Sequence, residues 1–255
     1  MLIRALLAIL AAAALIGGPE ARADDVLIAA TLDDFPPYCG QALPNFGFSN
    51  DLVVQAMGRT GHKVTVVFVP WARALSGAMD GYYDILPSVW YSPERGNALL
   101  FSEPYVVSRL VFVTRKDSPF DYTRLEDLAG KTVGIVNGYE YGKAFRTSTL
   151  FTRDVANSTV LNLTRVAAGR IDLTVEDELT LRYLFKTTAL DLANRLVLSR
   201  GALSEQEMHM AVSKKRVDAG RLVADFNQGL AQMKQDGSYD ALLVVHKLDQ
   251  PRDAE

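Results

Sequence analysis

Strand and helix patterns alternate along this chain, and that alternation limits its possible folds more than any other feature. Residues 26–30 and 63–68 are rich in strand-forming side chains, whereas residues 51–58 and 71–79 have the apolar spacing of helices. This β-α-β-α order predicts a mostly parallel sheet with helices on both faces. Small ligands bind such sheets beyond the carboxyl ends of the strands.

The same pattern begins again in the middle of the chain. A short helical turn, a strand, a helix, a turn with a strand and another helix are expected at 125–128, 132–136, 142–148, 169–175 and 177–185. Two separate α/β lobes explain this restart more simply than one large sheet does.

Two further strand-rich stretches, residues 110–114 and 208–213, lie at the borders of the second pattern. We interpret them as crossover strands that join a first lobe to a second lobe inserted within it. The helical pattern of residues 218–245 then returns to the first lobe. The expected boundaries are a first lobe of residues 24–113 and 209–255 and an inserted second lobe of residues 114–208.

Residues 1–23 have the pattern of a secretory signal peptide. One basic residue precedes an apolar run at 5–16, and Ala21-Arg22-Ala23 has the small-x-small pattern of a cleavage site. About 20 apolar residues are needed to cross a bilayer as a helix, so a retained membrane anchor is the weaker alternative. We therefore expect cleavage before Asp24 and a mature protein in a bacterial periplasm.

Composition and charge exclude several classes of protein. With 49% hydrophobic and 22% charged residues, the chain is too apolar to be disordered and too charged to be an integral membrane protein. The net charge is −3, and the longest basic run is Lys214-Lys215-Arg216. Nucleic-acid binding requires a concentrated cationic face. No nucleic-acid partner is therefore expected.

Few residues are suited to metal or nucleophilic chemistry. The single cysteine, Cys39, cannot form an internal disulfide, and we interpret it as an incidental free thiol rather than a nucleophile. The three histidines show no metal-ligand spacing with one another or with Cys39. The sequence contains neither a phosphate-binding loop nor a Gly-x-Ser-x-Gly elbow. We expect no catalytic residues, no metal and no cofactor.

Eight short motifs follow one another at workable spacing along the mature chain. They are Asp34-Phe35-Pro36-Pro37-Tyr38, Gly47-Phe48, Pro70-Trp71-Ala72-Arg73, Ser92-Pro93-Glu94-Arg95, Phe101-Ser102-Glu103-Pro104-Tyr105, Leu125-Glu126-Asp127-Leu128-Ala129-Gly130-Lys131, Gly169-Arg170-Ile171-Asp172 and Asp236-Gly237-Ser238-Tyr239. Together they resemble the family 3 extracellular solute-binding proteins, the periplasmic amino-acid receptors of ABC importers. The resemblance implies a two-lobe type II periplasmic binding protein fold that closes on an amino acid or a related carboxylate.

The resemblance implies that Arg95 holds the α-carboxylate of the ligand, for which a guanidinium offers two parallel hydrogen bonds. The alternative is a surface arginine that pairs with Glu94 or Glu103. It also implies that Asp177, at a strand end in the second lobe, accepts the α-ammonium group. The alternative for Asp177 is the N-cap of a helix that begins at Glu178, and both roles are compatible.

Four further residues are candidates for the ligand pocket. Phe35 and Trp71 correspond to an aromatic pair that sandwiches the ligand, although either side chain is also suited to a core. The family places a small hydroxyl residue five positions before the arginine, where this chain has Trp90. Ser88 lies two positions earlier, and the indole is expected to shrink the pocket or to alter carboxylate capture.

The ligand itself is not predicted by the sequence. Cationic-amino-acid receptors of this family carry carboxylates at the positions that Leu32 and Ser49 occupy here, which argues against a ligand with a distal cation. The second-lobe loop contains Tyr139 and Glu140 in place of small hydroxyl residues. Two alternatives remain open for this pair, namely recognition of a polar distal group and an exposed loop.

Two other functions remain as alternatives to a monomeric, non-enzymatic receptor that delivers its ligand to an ABC permease. The first is a non-transport accessory or sensory binding protein of the same fold. The second is an enzyme similar to the cyclohexadienyl dehydratases, which requires an acid/base carboxylate. Thr180 stands where that glutamate is expected, and this departure disfavours the enzyme.

Overall fold

The computed structural model of this protein describes residues 26–248. The expected leader, residues 1–23, lies outside the described residues. Within the described part of the chain, no helix is both long enough and apolar enough to cross a membrane.

The first lobe is built on three parallel strands. β1 (Leu27–Thr31) pairs with β2 (Val64–Phe68) on one side and with β3 (Ile85–Trp90) on the other. The helices α1 (Phe48–Arg59) and α2 (Trp71–Asp80) connect these strands. The β-α-β-α order expected from the sequence is therefore confirmed, and α1 begins three residues earlier than the apolar spacing indicates.

Two short elements and the C-terminal helices complete this lobe. After β3 come α3 (Pro93–Gly96) and β4 (Leu99–Phe101), and the chain returns at its end as α8 (Ala219–Gln235) and α9 (Ser238–Val245). Helix α8 packs closely on α1, because a Cβ atom at Gly229 would lie 2.0 Å from the carbonyl oxygen of Ala56. The expected helical tail is present, with a break at Gly237, which has a left-handed backbone.

The second lobe repeats this architecture. Its parallel strands are ordered β8, β6 and β7, with helices between and after them. The elements are β6 (Thr132–Val136), α4 (Lys143–Thr147), β7 (Thr152–Ala156), α5 (Thr159–Ala167), β8 (Leu173–Asp177), α6 (Glu178–Lys186) and α7 (Leu190–Ala193). The sequence patterns did not indicate β7 or α5.

Two long antiparallel strands run between the lobes. They are β5 (Val106–Arg115) and β9 (Leu196–Ser213), and they pair from Val106 opposite Met208 to Arg115 opposite Leu196. At one end β9 pairs with β3, and at the other end β5 pairs with β8. The crossover strands are confirmed and are longer than expected, because β9 also pairs with β3 of lobe one and β5 also pairs with β8 of lobe two.

This architecture brings strand ends of the two lobes face to face. The chain leaves β1 through Leu32 and β3 through Trp90 in lobe one, and it leaves β6 through Asn137 in lobe two. Strand β8 ends at Asp177. A binding site at the carboxyl ends of the strands is therefore composed of residues from both lobes.

Candidate functional site

Six of the eight residues predicted for the site line a single narrow cavity between the lobes. The cavity encloses about 20 Å³, and the six residues are Phe35, Trp71, Ser88, Trp90, Arg95 and Tyr139. Its volume is close to what one water molecule requires. Glu140 and Asp177 do not line this cavity, so the structure brings together most of the predicted residues, but not all of them.

Arg95 lies on the short helix that follows β3, and its side chain is buried. Ser92 caps this helix by accepting a hydrogen bond from the backbone N–H of Arg95 at 3.3 Å. The guanidinium donates from Nη1 to the carbonyl oxygen of Trp90 at 2.7 Å and from Nη2 to that of Gly138 at 2.8 Å. The fork of Arg95 therefore reaches across the cleft and contacts lobe two.

No carboxylate lies within ion-pair distance of Arg95 among residues 26–248, so the alternative of a surface pair with Glu94 or Glu103 is wrong. Glu94 instead pairs with Arg146 of lobe two at 2.6 Å. Burial lowers the pKa of Arg95 to about 10, against the opposing fields of Glu140 and Glu94. The side chain remains cationic at neutral pH, and its partners within residues 26–248 are two carbonyl oxygens and the Trp71 ring, whose centroid lies 5.6 Å from Cζ.

Four aromatic rings line the cavity, and the ring of Tyr139, which belongs to lobe two, lies among the other three. Its ring meets Phe35, Trp71 and Trp90 edge to face, with centroids 6.1, 6.3 and 5.5 Å apart. Trp71 begins α2 and donates from Nε1 to the carbonyl oxygen of Gly138 at 2.9 Å. Phe35 and Trp71 thus face the cleft as the resemblance implies, and Tyr139 lies between them.

Ser88 and Trp90 form the floor of the cavity in lobe one. The hydroxyl of Ser88 contacts the Sγ atom of Cys39 at 3.2 Å. Burial raises the pKa of Cys39 to about 11, which suits an unreactive thiol. The buried Nε1 of Trp90 has no hydrogen-bond acceptor in the described part of the chain. A donor that is buried without an acceptor is costly, and because Trp90 lines the cavity, a ligand oxygen that reached Nε1 would remove that cost.

The two residues of the second-lobe loop behave differently. Tyr139 enters the cavity and is not an exposed loop residue. Glu140 turns back on its own loop, where its Oε1 accepts a hydrogen bond from the backbone N–H of Gly142 at 2.8 Å. The structure therefore separates these neighbours, and only the tyrosine contacts lobe one through its ring.

Asp177 is buried at the end of β8 and has partners in three parts of the fold. Its Oδ1 accepts from the backbone N–H of Thr180 at 2.9 Å, which confirms the expected N-cap of α6. Its Oδ2 accepts from Ser108 of β5 at 2.6 Å and from Tyr38 of lobe one at 3.4 Å. Asp177 therefore faces lobe one through Tyr38 rather than through the cavity at Arg95.

The sequence patterns missed two further acids between the lobes. Asp34 accepts from the backbone N–H of Thr159 at 2.9 Å, and the Thr159 hydroxyl donates to Glu176. Burial raises the pKa of Asp34 to about 6 and that of Glu176 to about 8. Asp34 belongs to a motif that could have indicated it, whereas nothing near Glu176 in the sequence did.

Comparisons with known proteins identify the family of this chain. A family model of bacterial extracellular solute-binding proteins, family 3, matches residues 27–245. The L-cystine-binding protein TcyA of Bacillus subtilis is 26% identical over 192 residues, which cover 75% of this chain and 69% of TcyA.

Solved structures show the same fold. A mutant of ArgBP from T. maritima matches with a TM-score of 0.75 and 27% identity, over 88% of this chain and 96% of that one. A histidine kinase sensor domain similar to periplasmic binding proteins matches with a TM-score of 0.76 and 23% identity, over 87% and 96% of the two chains. The two-lobe type II fold is confirmed, and this chain belongs to the bacterial extracellular solute-binding proteins, family 3.

Proposed function

We propose that this protein captures an amino acid or a related small carboxylate in the cleft between its lobes and presents it to an ABC importer. The observation that carries this proposal is Arg95, a buried cation whose fork donates to two carbonyl oxygens and has no carboxylate partner among residues 26–248. A carboxylate is a stronger acceptor for a guanidinium than a neutral carbonyl is. A ligand carboxylate therefore forms stronger hydrogen bonds with Arg95 than the two backbone carbonyl oxygens do.

The ligand binds by hinge closure. Lobe one comprises residues 24–113 and 209–255, lobe two comprises residues 114–208, and β5 and β9 connect them. The cross-lobe contacts of Arg95 with Gly138 and of Asp34 with Thr159 are of the kind that closure makes and opening breaks. A ligand shifts this equilibrium only by its difference in affinity for the two forms.

Asp177 supplies the acidic partner for the α-ammonium group. Its carboxylate is buried, and it is oriented by Ser108 of the crossover strand and by the first turn of α6. A buried ammonium requires such a partner, because desolvation otherwise disfavours the charged form. Phe35 and Trp71 then cover the side chain of the ligand.

The expected leader places the mature protein in the periplasm, where it acts as a monomer and meets a permease. Its role is binding and not catalysis. Thr180, at the position where a dehydratase requires a glutamate, uses its backbone N–H to complete the cap of α6. Direct assay of prephenate and arogenate turnover by the mature chain tests this assignment, and conversion of either compound would contradict it.

Calorimetry on the mature chain tests the proposed function. We expect at least one of the common amino acids or small carboxylates to bind, and Arg95→Gln to weaken that binding about 100-fold or more through loss of a charge-assisted fork. Arg73→Gln is the matched control, because Arg73 is an exposed arginine on α2. Equal affinities of the two variants would contradict the role of Arg95.

A further inference from the structure

The backbone carbonyl of Gly138 is held by two donors from the opposite lobe. It accepts one hydrogen bond from Arg95 Nη2 at 2.8 Å and a second from Trp71 Nε1 at 2.9 Å. Both donors belong to lobe one, whereas Gly138 belongs to lobe two. The donor that the proposed function assigns to a ligand, Arg95, is thus engaged by the chain itself.

The ring that follows this carbonyl packs among three aromatic side chains of lobe one. Tyr139 contacts Phe35, Trp71 and Trp90 at interplanar angles of 73°, 88° and 82°. Edge-to-face contacts of this kind favour a flat ring over an aliphatic chain, because the positive edge of one ring meets the negative face of another. The three lobe-one side chains therefore form a cage whose shape and electrostatics match an aromatic ring.

The segment that carries Tyr139 has the features of a part that can be displaced. Gly138 and Gly142 both adopt positive φ, at 77° and 84°, and they border the tyrosine on either side. The Tyr139 ring also separates the cavity at Arg95 from an adjoining cleft of about 300 Å³, since both spaces share Leu32, Trp71 and Tyr139 as walls. Movement of this ring into the cleft joins the two spaces into one site.

An additional donor in the cage has no acceptor in the described part of the chain. The Nε1 atom of Trp90 is buried and unpaired, and Trp90 lines the cavity together with Arg95. Gly138 supplies one carbonyl oxygen, whereas a carboxylate has two oxygen atoms with about four acceptor sites. A carboxylate is therefore better matched to the donors of this site than the carbonyl that now engages two of them.

We propose that Gly138-Tyr139 is a built-in substitute for the ligand, and that the ligand which displaces it is a carboxylate carrying a planar aromatic ring, as in an aromatic amino acid. The carboxylate takes the place of the Gly138 carbonyl at Arg95, and the ring takes the place of Tyr139 in the cage of Phe35, Trp71 and Trp90. This inference rests on the proposed function and narrows its ligand class.

The test measures binding by calorimetry and by tryptophan fluorescence. Trp71 and Trp90 are the two tryptophans of the chain, so the fluorescence reports directly on the cage. The probes are L-phenylalanine and L-tyrosine, with L-leucine as an aliphatic control and phenethylamine as a ring without a carboxylate. The variants are Tyr139→Ala, Tyr139→Phe and, as a matched control on an exposed tyrosine, Tyr82→Ala.

We expect L-phenylalanine or L-tyrosine to bind the wild-type chain more tightly than L-leucine and to change its fluorescence, and phenethylamine not to bind. Tyr139→Ala should increase the affinity for these two amino acids about tenfold, because removal of an internal competitor enlarges the fraction of binding-competent protein. Tyr139→Phe keeps the ring and should behave like the wild type, as should Tyr82→Ala.

Several results would overturn this inference and leave the proposed function intact. One is tighter binding of L-leucine or another aliphatic amino acid than of either aromatic probe. Another is an unchanged or weaker affinity of a folded Tyr139→Ala variant. If that variant does not fold, the wild-type chain decides. The inference is then overturned when neither aromatic probe changes its tryptophan fluorescence. Equal ligand affinities of the Arg95→Gln and Arg73→Gln variants, by contrast, would overturn the proposed function itself.

Discussion

The Nη2 atom of Arg95 in lobe one donates a hydrogen bond of 2.8 Å to the carbonyl oxygen of Gly138 in lobe two. The residue that the proposed function assigns to the ligand thus also joins the two lobes. A ligand oxygen and the Gly138 carbonyl therefore compete for the same donor, and changes at Arg95 act on both stability and binding.

We expect Arg95→Ala to lower the free energy of unfolding by about 2 kcal/mol, because the buried carbonyl of Trp90 loses a charged donor. Urea denaturation of the mature chain measures this difference. Arg73→Ala, on the exposed face of α2, should change the same quantity by less than about 0.5 kcal/mol. Equal effects of the two variants would show that the Arg95 contacts contribute nothing measurable to folding.

Two variants of Asp177 separate its capping role from its proposed binding role. Asn is as good an N-cap as Asp, whereas Ala in that position costs about 1 kcal/mol. Asp177→Asn should therefore keep near wild-type stability in urea, and Asp177→Ala should lose about 1 kcal/mol or more. Both variants lack the negative charge, so calorimetry should show weakened binding of an ammonium-bearing ligand in each. Unchanged binding in Asp177→Asn would argue against the ammonium contact.

Asp34 makes stability depend on pH in the acidic range. Burial raises its pKa from 3.8 to about 6, although the N–H of Thr159 opposes this shift. The folded state then binds the proton more tightly than the unfolded state does. The stability that protonated Asp34 contributes therefore declines as pH rises from about 4 to about 6. Asp34→Asn has no proton to lose, and its stability relative to wild type should increase across that window, by about 1.4 kcal/mol per pKa unit. Melting temperatures of both proteins at a series of pH values measure this difference, and a constant difference contradicts it.

Glu176 should make stability depend on pH over a wider and more alkaline range than Asp34 does. Burial raises its pKa from 4.5 to about 8, and hydrogen bonds from Thr159 and from the backbone of Asp177 oppose the shift. Its sign is the same as for Asp34, so the stability contributed by the protonated form is lost as pH rises from about 4.5 to about 8. Glu176→Gln should therefore stabilise the protein at pH 8 relative to wild type, and much less at pH 4. A thermal-shift series on both proteins tests this, and a gain confined to acidic pH would contradict it.

Much of the fold was predictable because it depends on local patterns. The alternation of residues 26–30, 51–58 and 63–68 reflects side chains that face a sheet or a helix surface within a few positions of one another. The N-cap at Asp177 is equally local, since the carboxylate and the Thr180 amide are three residues apart. Strand β7 was not predicted because it is short and partly exposed, whereas helix α5 has a regular helical spacing of buried residues, including Leu163, Val166 and Ala167, that could have predicted it.

The sequence by itself determined the two lobes, the crossover strands and the capped acid, because these follow from periodicity and capping. Only the tertiary structure decided that Tyr139 enters the cage, that Gly138 engages Arg95 and that Asp34 meets Thr159. The last two contacts join residues that are 43 and 125 positions apart, and they form only when the lobes come together. The environment that raises the pKa of Glu176 is likewise a product of burial, since desolvation depends on everything packed around a group and not on its neighbours in the chain.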